Sequence, residues 1–165
     1  MPSLQLNIHK QAENLVSLCL EKHITFGTAE SCTGGLIAAA VTDIPGASAV
    51  FYGGIVAYDN SIKEKLLGVK SGTLSAHGAV SCETALEMSE GAVRTLNVAA
   101  SVAVTGIAGP GGGTQAKPVG LVYISVFSEN GHMVTENHFS GDRESVRMQT
   151  VSTALALLTE EIRKI

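Results

Sequence analysis

Apolar residues recur along this chain at alternating helical and strand spacings. Over residues 4–21, Ala12, Leu15, Val16 and Cys19 fall on one face of a helix. A short apolar run over 24–29 predicts the first strand, and 34–42 predicts a second helix. Ile44-Pro45-Gly46 breaks that helix, and a strand follows over 50–58, where Gly53-Gly54 marks a bulge or a close backbone approach. A short helix is expected over 61–67, then a loop containing Ser71-Gly72 and His77-Gly78. Ser81 is placed to cap a helix over 83–96, whose inner stripe is Ala85, Met88, Ala92 and Leu96. A third strand over 99–104 leads into a long glycine-rich loop over 105–118. Asn130-Gly131 predicts a hairpin between strands over 120–128 and 133–139. Asp142 caps a last helix with the stripe Val146, Val151, Ala154, Leu155, Leu158 and Ile162. The alternation predicts a three-layer α/β/α sandwich on a mixed, mostly parallel sheet with one antiparallel hairpin. No repeat or linker divides residues 1–165, so one domain is expected.

Composition narrows the classes of partner. The chain is 45% hydrophobic and 16% charged, with a net charge of −4. It has no basic block, which argues against nucleic-acid or anionic-membrane partners. No apolar run approaches membrane-spanning length, and no secretory signal opens the chain. Cys19, Cys32 and Cys82 form no C-x-x-C pair and no disulfide framework, so a reducing, cytoplasmic location is expected. Low charge and an aromatic content of 4% suggest tight packing of small residues and hint at a subunit interface, so a homo-oligomer is expected. The five histidines show no metal-ligand spacing, and no metal site is expected.

Four segments stand out chemically. In Ala29-Glu30-Ser31-Cys32-Thr33-Gly34-Gly35 a serine lies where a strand hands over to a helix. Backbone N–H groups at such an end are unpaired and can bind an anion or a developing oxyanion. Ser31 and Thr33 are equally familiar as helix caps, and Thr33, nearer the apolar run, is the better cap; that leaves Ser31 for chemistry. Cys32 is a rival nucleophile or a small packed residue. In Tyr58-Asp59-Asn60-Ser61-Ile62-Lys63, capping by Asn60 or Ser61 would put Lys63 in a first helical turn. There the helix dipole and partial burial both disfavour its charge and suit it to act as a base; the alternative is a solvated lysine beside Glu64 and Lys65. Thr105-Gly106-Ile107-Ala108-Gly109-Pro110-Gly111-Gly112-Gly113 is neither a P-loop nor a dinucleotide fingerprint, but such a loop lets backbone approach a ligand closely. Arg143 and Arg147 lie at the positive end of the last helix. Either a phosphate or the neighbouring Asp142 or Glu144 would offset that placement.

Taken in order, Thr28-Ala29-Glu30-Ser31-Cys32-Thr33-Gly34-Gly35, the spacing of Tyr58, Asn60 and Lys63, His77-Gly78-Ala79-Val80-Ser81, Gly106-Ile107-Ala108-Gly109-Pro110, Lys117-Pro118-Val119-Gly120 and Gly141-Asp142-Arg143 with Arg147 resemble the CinA C-terminal domain family, the competence-damage-inducible proteins. The likeness is to its stand-alone nicotinamide-nucleotide amidohydrolases, and it spans nearly the whole chain. It implies hydrolysis of the carboxamide of nicotinamide mononucleotide to nicotinate mononucleotide and ammonia, with no metal or cofactor. By position, the resemblance makes Ser31 the nucleophile, Lys63 its base, and Tyr58 a proton-relay or positioning partner. Amides at Cys32, Thr33 and Gly34 are expected to hold the oxyanion. Asn60, Thr105, Gly106 and Arg143 are expected to bind substrate, Arg143 at the phosphate. Longer family members carry a further N-terminal domain resembling molybdopterin-binding proteins, and its activity is not expected here. The alternative is a non-catalytic nucleotide-sensing module with the same loops.

Overall fold

A computed structural model describes residues 2–165, and its helical stripes close on both faces of one five-stranded sheet. The elements are α1 (Pro2–Lys22), β1 (Phe26–Glu30), α2 (Leu36–Thr42), a 3-10 turn (Ala47–Ala49), β2 (Phe51–Val56), α3 (Asn60–Leu67), α4 (Ser71–His77), α5 (Cys82–Leu96), β3 (Ala100–Gly106), β4 (Leu121–Ser128), β5 (Gly131–His138) and α6 (Arg143–Lys164). On one face α1, α2 and α6 bring Leu15, Ile37, Leu155 and Leu158 against Phe26, Val102 and Ile124. On the other, α3 and α5 bring Leu67, Met88 and Ala92 against Ala29 and Ala103. Each fully buried Leu, Ile, Val, Phe or Met side chain contributes about 1.5–3 kcal/mol relative to exposure. Where α5 crosses the end of α3, a Cβ at Gly91 would collide with the Leu67 carbonyl, so only glycine permits the approach.

The strand order is β2-β1-β3-β4-β5. β1 pairs parallel with β2 and β3, while β4 runs antiparallel to both β3 and β5. Four strands thus point one way and β4 the other, as the mixed sheet predicts. The β4–β5 turn is Glu129-Asn130, with Ser128 paired to Gly131 at φ +122°, one residue earlier than the Asn130-Gly131 expectation. β3 extends to Gly106, so Thr105 and Gly106 end a strand instead of opening the glycine-rich loop.

The loop expected after residue 67 contains a helix, α4. It buries no residue completely and lacks a helical stripe. Docking on α5 holds it: Glu87 accepts from Lys70 N at 2.8 Å and from Thr73 Oγ1 at 2.8 Å, while Leu74 packs into the α3–α5 cluster. Tertiary contacts here override weak local preference. Among the described residues no helix is long and apolar enough to cross a membrane.

Candidate active site

The chain leaves β1 over one face of the sheet to reach β2, then returns over the opposite face to reach β3 on the other side of β1. Such a reversal opens a crevice at the carboxyl ends of the strands, where α/β folds place ligands. Here the crevice is an open cleft of about 290 Å³ lined by Ser31, Cys32, Tyr58, Asn60, Lys63, Ala79, Val80, Thr105, Gly106, Ile107, Ala108, Gly109, Gly111, Gly112 and Arg143. A second groove, of about 320 Å³ between α1, α2 and α6, is lined by apolar groups with Gln5, His9 and Asp43 and contains no nucleophile.

Lys63 lines the cleft as expected and is buried there. Its side chain is only 1% exposed, and Nζ donates to Ser31 Oγ at 3.0 Å, Ala57 O at 2.9 Å and Tyr58 O at 3.1 Å. Burial lowers its pKa from the ordinary lysine value, against an upward pull from the Asp59 charge. The cap of α3 is Asp59, not Asn60 or Ser61: its carboxylate accepts from Ser61 N at 2.9 Å and Ser61 Oγ at 2.5 Å. Lys63 is therefore the fourth helical residue, and burial depresses its charge.

Ser31 is 8% exposed, and no side-chain cap involves it. Thr33 does not cap α2 either. Glu30, 1% exposed at the end of β1, takes over the helix end. Its carboxylate accepts from Gly35 N (3.0 Å), Ile37 N (3.0 Å), Ala38 N (2.8 Å), Thr33 Oγ1 (2.7 Å) and Thr28 Oγ1 (3.4 Å). A carboxylate satisfied by helix amides is stabilised by both hydrogen bonding and the dipole. The positive end of α2 is thus filled from inside the protein and is closed to an external anion. Replacing Glu30 by Ala is expected to strand these buried donors and cost on the order of 2–4 kcal/mol. Urea unfolding should show a lower midpoint with unchanged slope, and an unmoved midpoint would refute this role.

The turn after β1 leaves few amides free. Gly34 N closes onto Ser31 O at 3.1 Å, so it is committed to the turn and not to an oxyanion. The amides of Cys32 and Thr33 donate to no other residue among the described residues. Cys32 lines the cleft, but burial pushes its thiol up to about 12, which makes a thiolate scarce at neutral pH.

The remaining predicted residues divide into those that face the cleft and those that support it. Tyr58 is 61% exposed; its hydroxyl accepts from Arg143 Nη2 at 3.2 Å, and only its carbonyl reaches Lys63. Arg143 also donates Nη1 to Gly109 O at 2.6 Å. It pairs with neither Asp142, which caps α6 through Ser145 N at 2.8 Å, nor Glu144. Asn60 and Gly106 line the cleft directly. Thr105 is buried with its hydroxyl donated to Ala79 O at 2.7 Å, so it ties the α4–α5 connection to β3. His77 ends α4 beside Glu83 and does not line the cleft. Among the described residues, no three His, Cys, Asp or Glu side chains converge as a metal site.

Sequence reasoning missed Glu30. It lies six residues before α2, outside any capping spacing, and nothing local marks its carboxylate as a cap.

Comparisons with known proteins give the family of the chain. The CinA C-terminal domain family model matches residues 8–162. The chain is 54% identical over 153 residues to a CinA-like protein of Leptospira borgpetersenii serovar Hardjo-bovis (strain L550), covering 92% of this chain and 37% of that protein. A CinA-like protein of Thermotoga maritima is 44% identical over 96% of this chain and 38% of its own length. The chain thus spans little more than a third of these curated relatives. Among solved structures, the competence/damage inducible protein CihA from Agrobacterium tumefaciens superimposes with a TM-score of 0.92 at 43% identity, covering 95% of this chain and 96% of that one. A CinA superfamily protein from Klebsiella pneumoniae superimposes with the same TM-score of 0.92 at 31% identity, covering 96% and 99% of the two chains. From the family match over 8–162 and these relatives, the chain belongs to the CinA C-terminal domain family.

Proposed function

We propose that this protein hydrolyses the carboxamide of nicotinamide mononucleotide, with Ser31 as nucleophile and Lys63 as general base. The observation that carries the reading is the buried Lys63 Nζ lying 3.0 Å from Ser31 Oγ. A neutral lysine amine has two N–H groups and one lone pair. The carbonyls of Ala57 and Tyr58 can only accept, so they take the two N–H groups and the lone pair falls to the Ser31 hydroxyl. In the first half-reaction Ser31 Oγ bonds to the amide carbon as Lys63 takes its proton. The C–N bond then breaks, and Lys63 returns the proton to the departing ammonia. In the second, water attacks the ester with Lys63 again as base, releasing nicotinate mononucleotide and free Ser31. The unpaired amides of Cys32 and Thr33 serve the oxyanion at each stage.

The substrate class rests on the family resemblance and on the cleft rim. Arg143 is the cleft's exposed guanidinium in a chain of net charge −4, and no carboxylate among the described residues pairs with it. A phosphate there forms charge-assisted hydrogen bonds. Arg143→Ala is expected to raise KM for nicotinamide mononucleotide by the equivalent of about 1.5–3 kcal/mol. KM for the phosphate-free riboside should barely move. Equal losses for both would make Arg143 a support for Gly109 and Tyr58 only.

The reading is tested by incubating the purified chain with nicotinamide mononucleotide and measuring ammonia and nicotinate mononucleotide together. Equal release of both supports hydrolysis. Saturable binding without ammonia would give the cleft to a nucleotide-sensing role. A homo-oligomer remains part of the proposal, tested by sedimentation of the same preparation.

A further inference from the structure

Arg147 reaches the Ser31 turn from α6, more than a hundred residues away in sequence. Its guanidinium donates Nε to Cys32 O at 3.1 Å and Nη2 to Thr33 O at 2.8 Å. It is not among the residues lining the cleft, whereas Arg143, one helical turn earlier, is.

A peptide unit is planar, so fixing a carbonyl fixes the N–H of the next residue on the opposite side. Holding Cys32 O therefore sets the direction of the Thr33 amide. Holding Thr33 O sets the Gly34 amide, which closes onto Ser31 O at 3.1 Å. Holding Ser31 O in turn sets the Cys32 amide. Three consecutive peptides are pinned, and Arg147 is the side chain that anchors two of them from another element. Glu30 secures the following segment through Gly35, Ile37 and Ala38, but touches no backbone group from Ser31 to Gly34.

Building on the amide hydrolysis proposed above, we infer that Arg147 is a positioning residue. It holds the 31–34 backbone so that the Ser31 hydroxyl and the Cys32 and Thr33 amides keep one geometry. It contributes no contact to substrate, and its planar fork is suited to two adjacent carbonyls where a lysine could serve one.

The test compares wild type, Arg147→Ala and Arg147→Lys in two assays. The first measures kcat and KM for nicotinamide mononucleotide and for its riboside. The second measures the rate at which a phosphonofluoridate, a serine-directed reagent lacking any nucleotide part, modifies Ser31. Misplacing a catalytic group by about 1 Å can cost about 10²-fold in rate, so Arg147→Ala should lower kcat on that scale. The fall should be equal for mononucleotide and riboside, with KM little changed, and the reagent rate should drop in parallel. Arg147→Lys should recover part of both rates, and it keeps the comparison available if the alanine variant unfolds.

A rise in KM confined to the mononucleotide would overturn the inference and make Arg147 a phosphate ligand. A lowered melting temperature with both rates unchanged would make it structural and overturn it equally. If wild type releases no ammonia but its Ser31 reacts with the reagent, and Arg147→Ala slows that reaction, the substrate assignment fails and the positioning role stands. If wild-type Ser31 does not react with the reagent at all, the positioning role falls.

Discussion

Ser31→Ala is expected to abolish ammonia release, with a loss on the order of 10⁴–10⁶-fold, while leaving the fold and melting temperature nearly unchanged. The activity loss follows from removing the only hydroxyl, among the described residues, that is hydrogen-bonded to the buried lysine amine. The intact fold follows from what Ser31 does not do. Its side chain caps no helix, because Glu30 fills that place, and its backbone contacts to Val104 and Gly34 survive the change. Cys32→Ala is the matching control. A thiol held at about 12 is almost wholly protonated at neutral pH, so its loss should leave most of the turnover. An active Ser31→Ala beside a dead Cys32→Ala would transfer the nucleophile to Cys32. A sharp drop in melting temperature for Ser31→Ala would instead point to a structural serine.

Lys63→Arg and Lys63→Met are both expected to lose activity by about 10²–10⁴-fold or more, the scale of a general base. Arginine keeps the charge but does not give up its proton, and methionine fills the slot without any base. The methionine variant keeps the test open if the larger guanidinium does not fit a site that is 1% exposed. Lys63 also makes a signed statement about pH. Its folded pKa is lowered, so the unfolded chain holds more protons in the window between that lowered value and the ordinary lysine value near 10.5. Wild-type stability should therefore rise with pH across that window, and the penalty for burying the charge is fully present below it. Methionine carries no such penalty. Unpaired carbonyls at Ala57 and Tyr58 add a constant offset to Lys63→Met, but the difference from wild type should move in wild type's favour as pH rises. The acid limb of the rate profile should likewise fall below the ordinary lysine range. An active Lys63→Arg, or a stability difference that does not change with pH, would remove the lysine from this role.

Much of the scaffold was legible because its signals are local. The stripes of α1, α5 and α6 repeat over several turns, and Ser81 and Asp142 sit at the helix starts they cap. The helix α4 was not legible, since its order comes from Glu87 on another element. In the cleft, the strand-to-helix serine and Lys63 were both legible as candidates, but the burial of the lysine was not. Lys63 sits in a polar stretch where a solvated lysine is the ordinary outcome, and only packing shows its Nζ turned inward under Ala57 and Tyr58. The two arginines show the same limit. Spacing treats Arg143 and Arg147 alike, yet one reaches the cleft rim and the other the carbonyls behind Ser31. Glu30 was invisible as a cap because the chain must turn through five residues before its carboxylate meets the helix end.

The central claim is that the amide's acyl group passes to Ser31 Oγ before water receives it, and trapping with hydroxylamine tests this most directly. Hydroxylamine competes with water for the ester, so wild type turning over nicotinamide mononucleotide should yield the hydroxamate alongside nicotinate mononucleotide, in a ratio that rises with hydroxylamine concentration. Ser31→Ala should yield neither. Nicotinate mononucleotide formed without hydroxamate at every concentration, and formed equally by Ser31→Ala, would contradict the account.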